Sequence, residues 1–218
     1  MVSISLNAQY LEHIYDYIEN TNVFEENQQD GHAYYIADQH LSLNGNWKFL
    51  FAETPEAIPL DFFQPSFNDG KWKQIPVPSN WEMLGYGDAQ FRNVASPFKA
   101  NPPYVPREYN PTGAYRRVFD IPQDWDGQQI FLRLEKTQSA SFVWINGQQA
   151  GYNEGGQEPA EYDITNFVKP GKNTIAVCVL KYSDGYYLEG QDYWRLAGIF
   201  DDVTVYATPK TRLFDWFV

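Results

Sequence analysis

The sequence predicts an antiparallel all-β sandwich, and three observations carry that reading. Short apolar stretches with period-two alternation recur through the second half of the chain. Turn signals separate them at Asp126-Gly127, Asn146-Gly147 and Pro170-Gly171. Helical spacing is confined to one short stretch near the N-terminus. With 218 residues the chain can bury one sizeable core, and all-β units of that size are often single domains.

Residues 1–40 read as an irregular arm. Leu11, Ile14, Tyr15 and Ile18 fall at helical spacing until Asn20, Asn22 and the polar run 25–31 break it. A short helical turn is expected there, then an extended arm wrapping the domain, with Tyr34, Tyr35 and Ile36 as a candidate edge strand. In Trp47 to Phe51, residues 47, 49 and 51 share one face. Pro55, Pro59 and Pro65 then interrupt regular sheet, residues 65–72 read as a surface turn, and Pro76 argues against a central strand at 73–77.

From Pro78 to Gly113 the chain is poor in regular structure, because Pro97, Pro102, Pro103, Pro106 and Pro111 each remove a backbone donor. A stretch that long without strands is usually functional in a compact domain. Strand candidates follow at 115–121, 130–135, 141–145, 174–180 and 202–207. In the second of these Ile130, Leu132 and Leu134 face in, while Arg133 and Glu135 face out. Asn146-Gly147 is a two-residue hairpin signal, since both residues tolerate positive φ, and 150–153 is its return strand. Residues 161–167 read as an Asp-capped or 3₁₀ turn rather than a strand.

The densest chemistry lies in the loop between Ser183 and the strand at 202–207. It carries Asp184, Glu189 and Asp192 around a single Arg195, with two aromatic pairs between them. A flexible linker would not carry such residues. They read either as a structural corner, with Trp194 filling a core gap and Arg195 paired to a carboxylate, or as a binding loop.

Charge and composition exclude several classes. The net charge of −12, from 28 acids against 16 Lys and Arg, offers nothing to phosphate backbones or anionic lipid. Cys178 is the one cysteine and lies in an apolar strand, so it reads as a small buried hydrophobe and leaves no intrachain disulfide or cysteine zinc site. His13, His32 and His40 lack ligand spacing. No apolar run approaches the ~20 residues of a membrane helix. The N-terminus shows no charged segment followed by an apolar one, so no secretory signal is read in this chain; a soluble protein is expected, with cytoplasm and periplasm both open as its compartment. Aromatic residues make up 17%, which suits strands and also carbohydrate surfaces, where a ring face meets the C–H face of a sugar.

Residues 184–203 read Asp-Gly-Tyr-Tyr-Leu-Glu-Gly-Gln-Asp-Tyr-Trp-Arg-Leu-Ala-Gly-Ile-Phe-Asp-Asp-Val. Further blocks stand in order before them: Leu43-Asn-Gly-Asn-Trp-Lys-Phe49, Val77-Pro-Ser-Asn-Trp-Glu82, Asn101-Pro-Pro-Tyr-Val-Pro106 with Asn110-Pro-Thr-Gly-Ala-Tyr-Arg-Arg117, and Trp144-Ile-Asn-Gly147. Together they resemble the N-terminal sugar-binding domain of glycoside hydrolase family 2, in a form similar to that of the bacterial β-galactosidases. Ala197, Asp201 and Gly190 depart from the family pattern, which more often has Ser, a basic residue and an acid there.

The resemblance implies a jelly-roll β-sandwich of the galactose-binding type over 41–207, with 1–40 as the arm and 208–218 as the start of a linker or an immunoglobulin-like domain. The tail aromatics Phe214, Trp216 and Phe217, with Leu213, fit that view, since a complete domain seldom exposes them together. It also implies a parent enzyme that hydrolyses terminal β-D-galactose, with both catalytic glutamates on a separate (β/α)₈ barrel, so that no catalytic residue is expected in this chain. Glu189 and Asp192 are a poor substitute pair, because one loop cannot easily place two carboxylates on opposite faces of a sugar ring. By resemblance, Asp192 hydrogen-bonds galactosyl hydroxyls and helps hold sodium, and Asn93 reaches the same galactose. Asp184 is a further cation candidate that its Asp-Gly turn explains equally well. Sodium and magnesium are implied for the full-length enzyme. The expected partners are a galactoside, the remaining domains of the parent and a second copy in a homo-oligomer, with no nucleic acid or membrane. A free-standing carbohydrate-binding module, or the equivalent domain of a β-glucuronidase or β-mannosidase, remain the other readings.

Overall fold

The structure, a computed structural model, describes residues 13–33, 37–92, 96–189 and 192–217, with Arg92 described in its backbone alone. Sixteen strands occur among the described residues. The first are β1 (Glu25–Glu26), β2 (His40–Ser42), β3 (Gly45–Ala52), β4 (Lys73–Val77), β5 (Ser79–Asn80) and β6 (Gln90–Arg92). Then come β7 (Thr112–Ile121), β8 (Gln129–Leu134), β9 (Thr137–Gln138), β10 (Ala140–Ile145) and β11 (Gln148–Asn153). The last are β12 (Ala160–Asp163), β13 (Gly171–Leu180), β14 (Tyr193–Arg195), β15 (Gly198–Ile199) and β16 (Val203–Thr208).

Alternation decides how the strands pack. Ile130, Leu132 and Leu134 of β8 meet Ile175, Val177 and Val179 of β13, Val203 and Val205 of β16, and Trp47 and Phe49 of β3 in one buried cluster. Each such side chain contributes roughly 1.5–3 kcal/mol by leaving water. The cluster joins a seven-stranded sheet, in the order β1-β11-β10-β13-β7-β3-β4, to a four-stranded sheet, β12-β8-β16-β2. The pairings are antiparallel throughout, and the whole is a jelly-roll sandwich.

The other face of the larger sheet is also covered. Phe142, Trp144, Ala176, Cys178 and Leu180 pack against Ile14, Ile18, Ile58 and Phe62. That double burial is why 175–180 reads as a continuous apolar run rather than an alternating one. Ile14 and Ile18 come from the expected helical turn, which covers residues 13–18. The arm then pairs β1 with β11. The candidate edge strand at Tyr34, Tyr35 and Ile36 lies outside the described residues.

Local signals behave as their chemistry requires. Asn146 and Gly147 both take positive φ, 51° and 86°, and close the β10–β11 hairpin. Pro76 sits in β4, which is an edge strand. Two expectations are corrected. Residues 160–163 form a strand, because Tyr162 enters the core and the segment pairs with β8, while the turn begins only at Asp163, whose Oδ1 accepts the Thr165 N–H. Arg133 points away from the sandwich interior but is buried, since Glu135 just past the end of β8 and Glu161 on β12 both pair with it. The tail residues Leu213, Phe214, Trp216 and Phe217 are exposed as expected.

Candidate functional site

The loop from Ser183 to Ile199 is pinned on three sides before it presents anything to solvent. The first tie is a two-stranded ribbon in which β14 pairs with β6, setting Tyr193 opposite Arg92, Trp194 opposite Phe91 and Arg195 opposite Gln90. Gln90 is fixed from below by the Tyr182 hydroxyl, which donates to its Oε1 at 2.9 Å. Arg195 is buried, with its guanidinium 4.5 Å from the Tyr186 ring centroid, Nη2 donating to the Tyr186 carbonyl at 3.3 Å, and Nη1 3.5 Å from Glu189 Oε2. The carboxylate expected beside Arg195 is therefore Glu189.

The second tie is a buried ion pair. Lys181 Nζ donates to Glu82 Oε1 at 2.6 Å and to the Asp88 carbonyl at 2.8 Å. The other Glu82 oxygen accepts the Ala197 N–H at 2.9 Å. One carboxylate thus links the segment before β6, the end of β13 and the segment after β14. Burial raises the Glu82 pKa, and the Lys181 charge opposes the rise. The third tie is β15, which pairs with both β5 and β9. Gly198 takes φ 131° there, and a Cβ on it would lie 2.7 Å from the Ser79 carbonyl oxygen, so the approach requires glycine.

The expected site residues fall into three environments. Asp192 is exposed at the start of β14. Asn93 lies outside the described residues; Arg92, just before it, is the partner of Tyr193, just after Asp192. Asp184 is buried, and its Oδ2 meets no hydrogen-bond donor. Beside it burial, and next the hydrogen bond with Asp184, push Glu154 up to about 9, while Tyr152 donates its hydroxyl to Glu154 Oε1. Glu189 is also raised by burial, against the opposing charge of Arg195. Glu189 and Asp192 therefore stand apart in kind, one half-buried against an arginine and one exposed.

No group of three or more His, Cys, Asp or Glu able to hold a metal ion occurs among the described residues. Asp192 offers a single exposed carboxylate to sodium. Asp184 fits a hard cation better: its buried carboxyl and that of Glu154 are hydrogen-bonded to one another and so share a proton, whose place between the two sets of oxygens a hard cation would take. Sequence reasoning missed Glu154, Glu82 and Lys181. Lys181 had a signal, a charge directly after the apolar run 175–180, but Glu154 and Glu82 had none. Trp194, read as a possible core filler, is 55% exposed because the ribbon register turns it outward.

A family model described as "Glycosyl hydrolases family 2, sugar binding domain" matches residues 40–209. A β-galactosidase of Priestia megaterium (strain DSM 319 / IMG 1521) is 40% identical over 91% of this chain and 21% of the relative. A β-galactosidase of Vibrio vulnificus (strain YJ016) is 45% identical over 84% of this chain and 18% of the relative. The chain thus spans about a fifth of the length of the curated relatives it matches. Among solved structures, a β-glucuronidase of Bacteroides uniformis superposes with a TM-score of 0.57 at 28% identity, covering 78% of this chain and 18% of that one.

Proposed function

Because the chain belongs to glycoside hydrolase family 2, as its N-terminal sugar-binding domain, we propose that it presents Asp192 and Asn93 to the galactosyl unit of a β-galactoside in a β-galactosidase. The observation that carries the proposal is the exposed Asp192 carboxylate at the end of a ribbon whose other strand leads directly into Asn93. A carboxylate accepts two hydroxyls, or one hydroxyl and a hard cation, and an amide both donates and accepts. The reacting carboxylates belong to another part of the enzyme. Asp192 supplies one ligand to a sodium ion, and Asp184 with Glu154 would hold magnesium. When bound, that ion supplies positive charge that lets both carboxyls ionise.

The readings differ in substrate. The relatives at 40% and 45% identity carry the name β-galactosidase, while the structural neighbour at 28% is a β-glucuronidase, so the galactoside is favoured and the glucuronide is the second reading. In the enzyme containing this domain, Asp192→Ala lowers kcat/KM for a galactoside by ~2–4 kcal/mol, the scale of a lost charged hydrogen bond and positioning contact. Unchanged kinetics would sink the assignment. A higher kcat/KM for a glucuronide than for the matching galactoside would move it to the second reading.

A further inference from the structure

The β6–β14 ribbon has two unlike faces. Gln90 and Arg195 face the body of the domain, the first hydrogen-bonded to Tyr182 and the second buried on Tyr186. Alternation puts Phe91 and Trp194 on the opposite face, where register sets them directly across from one another. They are 51% and 55% exposed. Their ring centroids are 5.5 Å apart with planes at 66°, so one ring offers its face beside the edge of the other. Asp192 immediately precedes the ribbon strand that carries Trp194 and is itself exposed.

The geometry points to a pyranose-stacking surface in which Trp194 and Phe91 receive the C–H face of a sugar ring whose hydroxyls are within the neighbourhood of Asp192. The inference rests on the sugar-site reading of Asp192 and adds the apolar half of that site. These rings are not spare core, since the reverse face of the ribbon is already packed and hydrogen-bonded. A pyranose matches the mixture of groups: its C–H face is attracted to a ring face, and its hydroxyls donate to a carboxylate without demanding a counter-charge. A protein partner covering the rings would strip water from the adjacent Asp192 carboxylate and need a cation to pair it. The aromatic pair is therefore assigned to carbohydrate, with another protein surface as the competing occupant.

Saturation-transfer NMR on this chain, with methyl β-D-galactopyranoside at millimolar concentration, tests the assignment. The expected result is transfer to the ring C–H protons, with affinity weakened roughly threefold to tenfold in Trp194→Ala and in Phe91→Ala and retained in Trp194→Phe. Both rings are exposed, and an amide spectrum unchanged outside residues 88–98 and 184–200 shows that the variants fold. No transfer in the wild-type chain overturns the inference. So does wild-type binding by both ring variants; if Asp192→Ala alone then loses binding, the Asp192 reading survives without the rings. Loss in the ring variants with none in Asp192→Ala keeps the stacking surface and removes Asp192 from the site. Concentration-dependent broadening that Trp194→Ala abolishes, with sugar transfer unchanged, gives the rings to contact between copies and also overturns it.

Discussion

Lys181 closes the apolar run of β13, and its ammonium ends 2.6 Å from Glu82 Oε1 with both side chains shielded from water. Removing one partner of such a pair strands the other charge, which costs ~3–5 kcal/mol, whereas replacing both removes the problem. Lys181→Met is therefore expected to lower unfolding stability by roughly 3 kcal/mol, and the double variant with Glu82→Leu to recover part of that loss in a denaturation cycle. A double variant no more stable than Lys181→Met would show that the Glu82 contacts to Ala197, and not the charge pair, hold the segment. The residue scale is also where the sequence was least transparent. Types were legible: an acid, an amide and an arginine that wanted a carboxylate. Partners were not, because Glu82 lies ninety-nine positions from Lys181 and no local period connects them. Trp194 shows the same limit, since only the pairing of β14 with β6 decides which way its ring points.

At the scale of elements, turn chemistry and double burial could be read directly. Asn146-Gly147 announces its hairpin because both residue types tolerate the positive φ that a two-residue turn needs, and β13 announces itself by apolar density. β12 was hidden because its period-two pattern lasts four residues and runs into an Asp-capped turn, so its pairing with β8 had to settle the matter. β15 depends on Gly198, where positive φ and a close backbone approach coincide. Gly198→Ala is expected to cost about 2–4 kcal/mol in urea unfolding. Gly127→Ala provides the control, since Gly127 has φ 79° but open space around its missing Cβ, and should cost about 1–2 kcal/mol. Equal losses would remove the packing argument for Gly198. The meeting of the β11 end with the Asp184 turn makes a separate prediction. If magnesium binds there, ten times its Kd is expected to stabilise the wild-type chain by about 1.4 kcal/mol, roughly 3–5 °C in Tm, and Asp184→Asn to abolish the gain. A shift that persists in Asp184→Asn would place the ion elsewhere.

Across the whole molecule, the arm and the tail meet over the outer face of the four-stranded sheet. His32 sits at that junction. Its Nδ1 lies 2.9 Å from the Ala33 carbonyl oxygen and its Nε2 lies 3.0 Å from Glu161 Oε1. Both partners are acceptors, and only the imidazolium can donate to both. Burial lowers the His32 pKa, but the Glu161 hydrogen bond, the Ala33 carbonyl and the Glu161 charge together outweigh it, against Arg133, so the net shift is upward. The tail adds the Phe214 ring at 4.9 Å from the His32 ring and Asp215, whose Oδ1 accepts the Ala33 N–H at 2.8 Å. A cavity of about 500 Å³ opens between the tail and the sheet edge, lined by His32, Tyr206, Arg212, Phe214 and Trp216 among others. The spacing of His32 in the sequence is silent about this junction, because its partner Glu161 comes from β12, a strand that local pattern hides. The folded state holds the His32 proton more tightly than the unfolded chain, so the contribution is fully present below the unfolded value near ~6.5 and is lost as pH rises through the higher folded value. His32→Gln should therefore lower Tm by about 1–3 °C near pH ~5.5, and the gap from the wild type should close above that window. A gap that stays constant across pH, or widens at alkaline pH, would mean that His32 joins the arm to the tail as a neutral ring and that its proton takes no part.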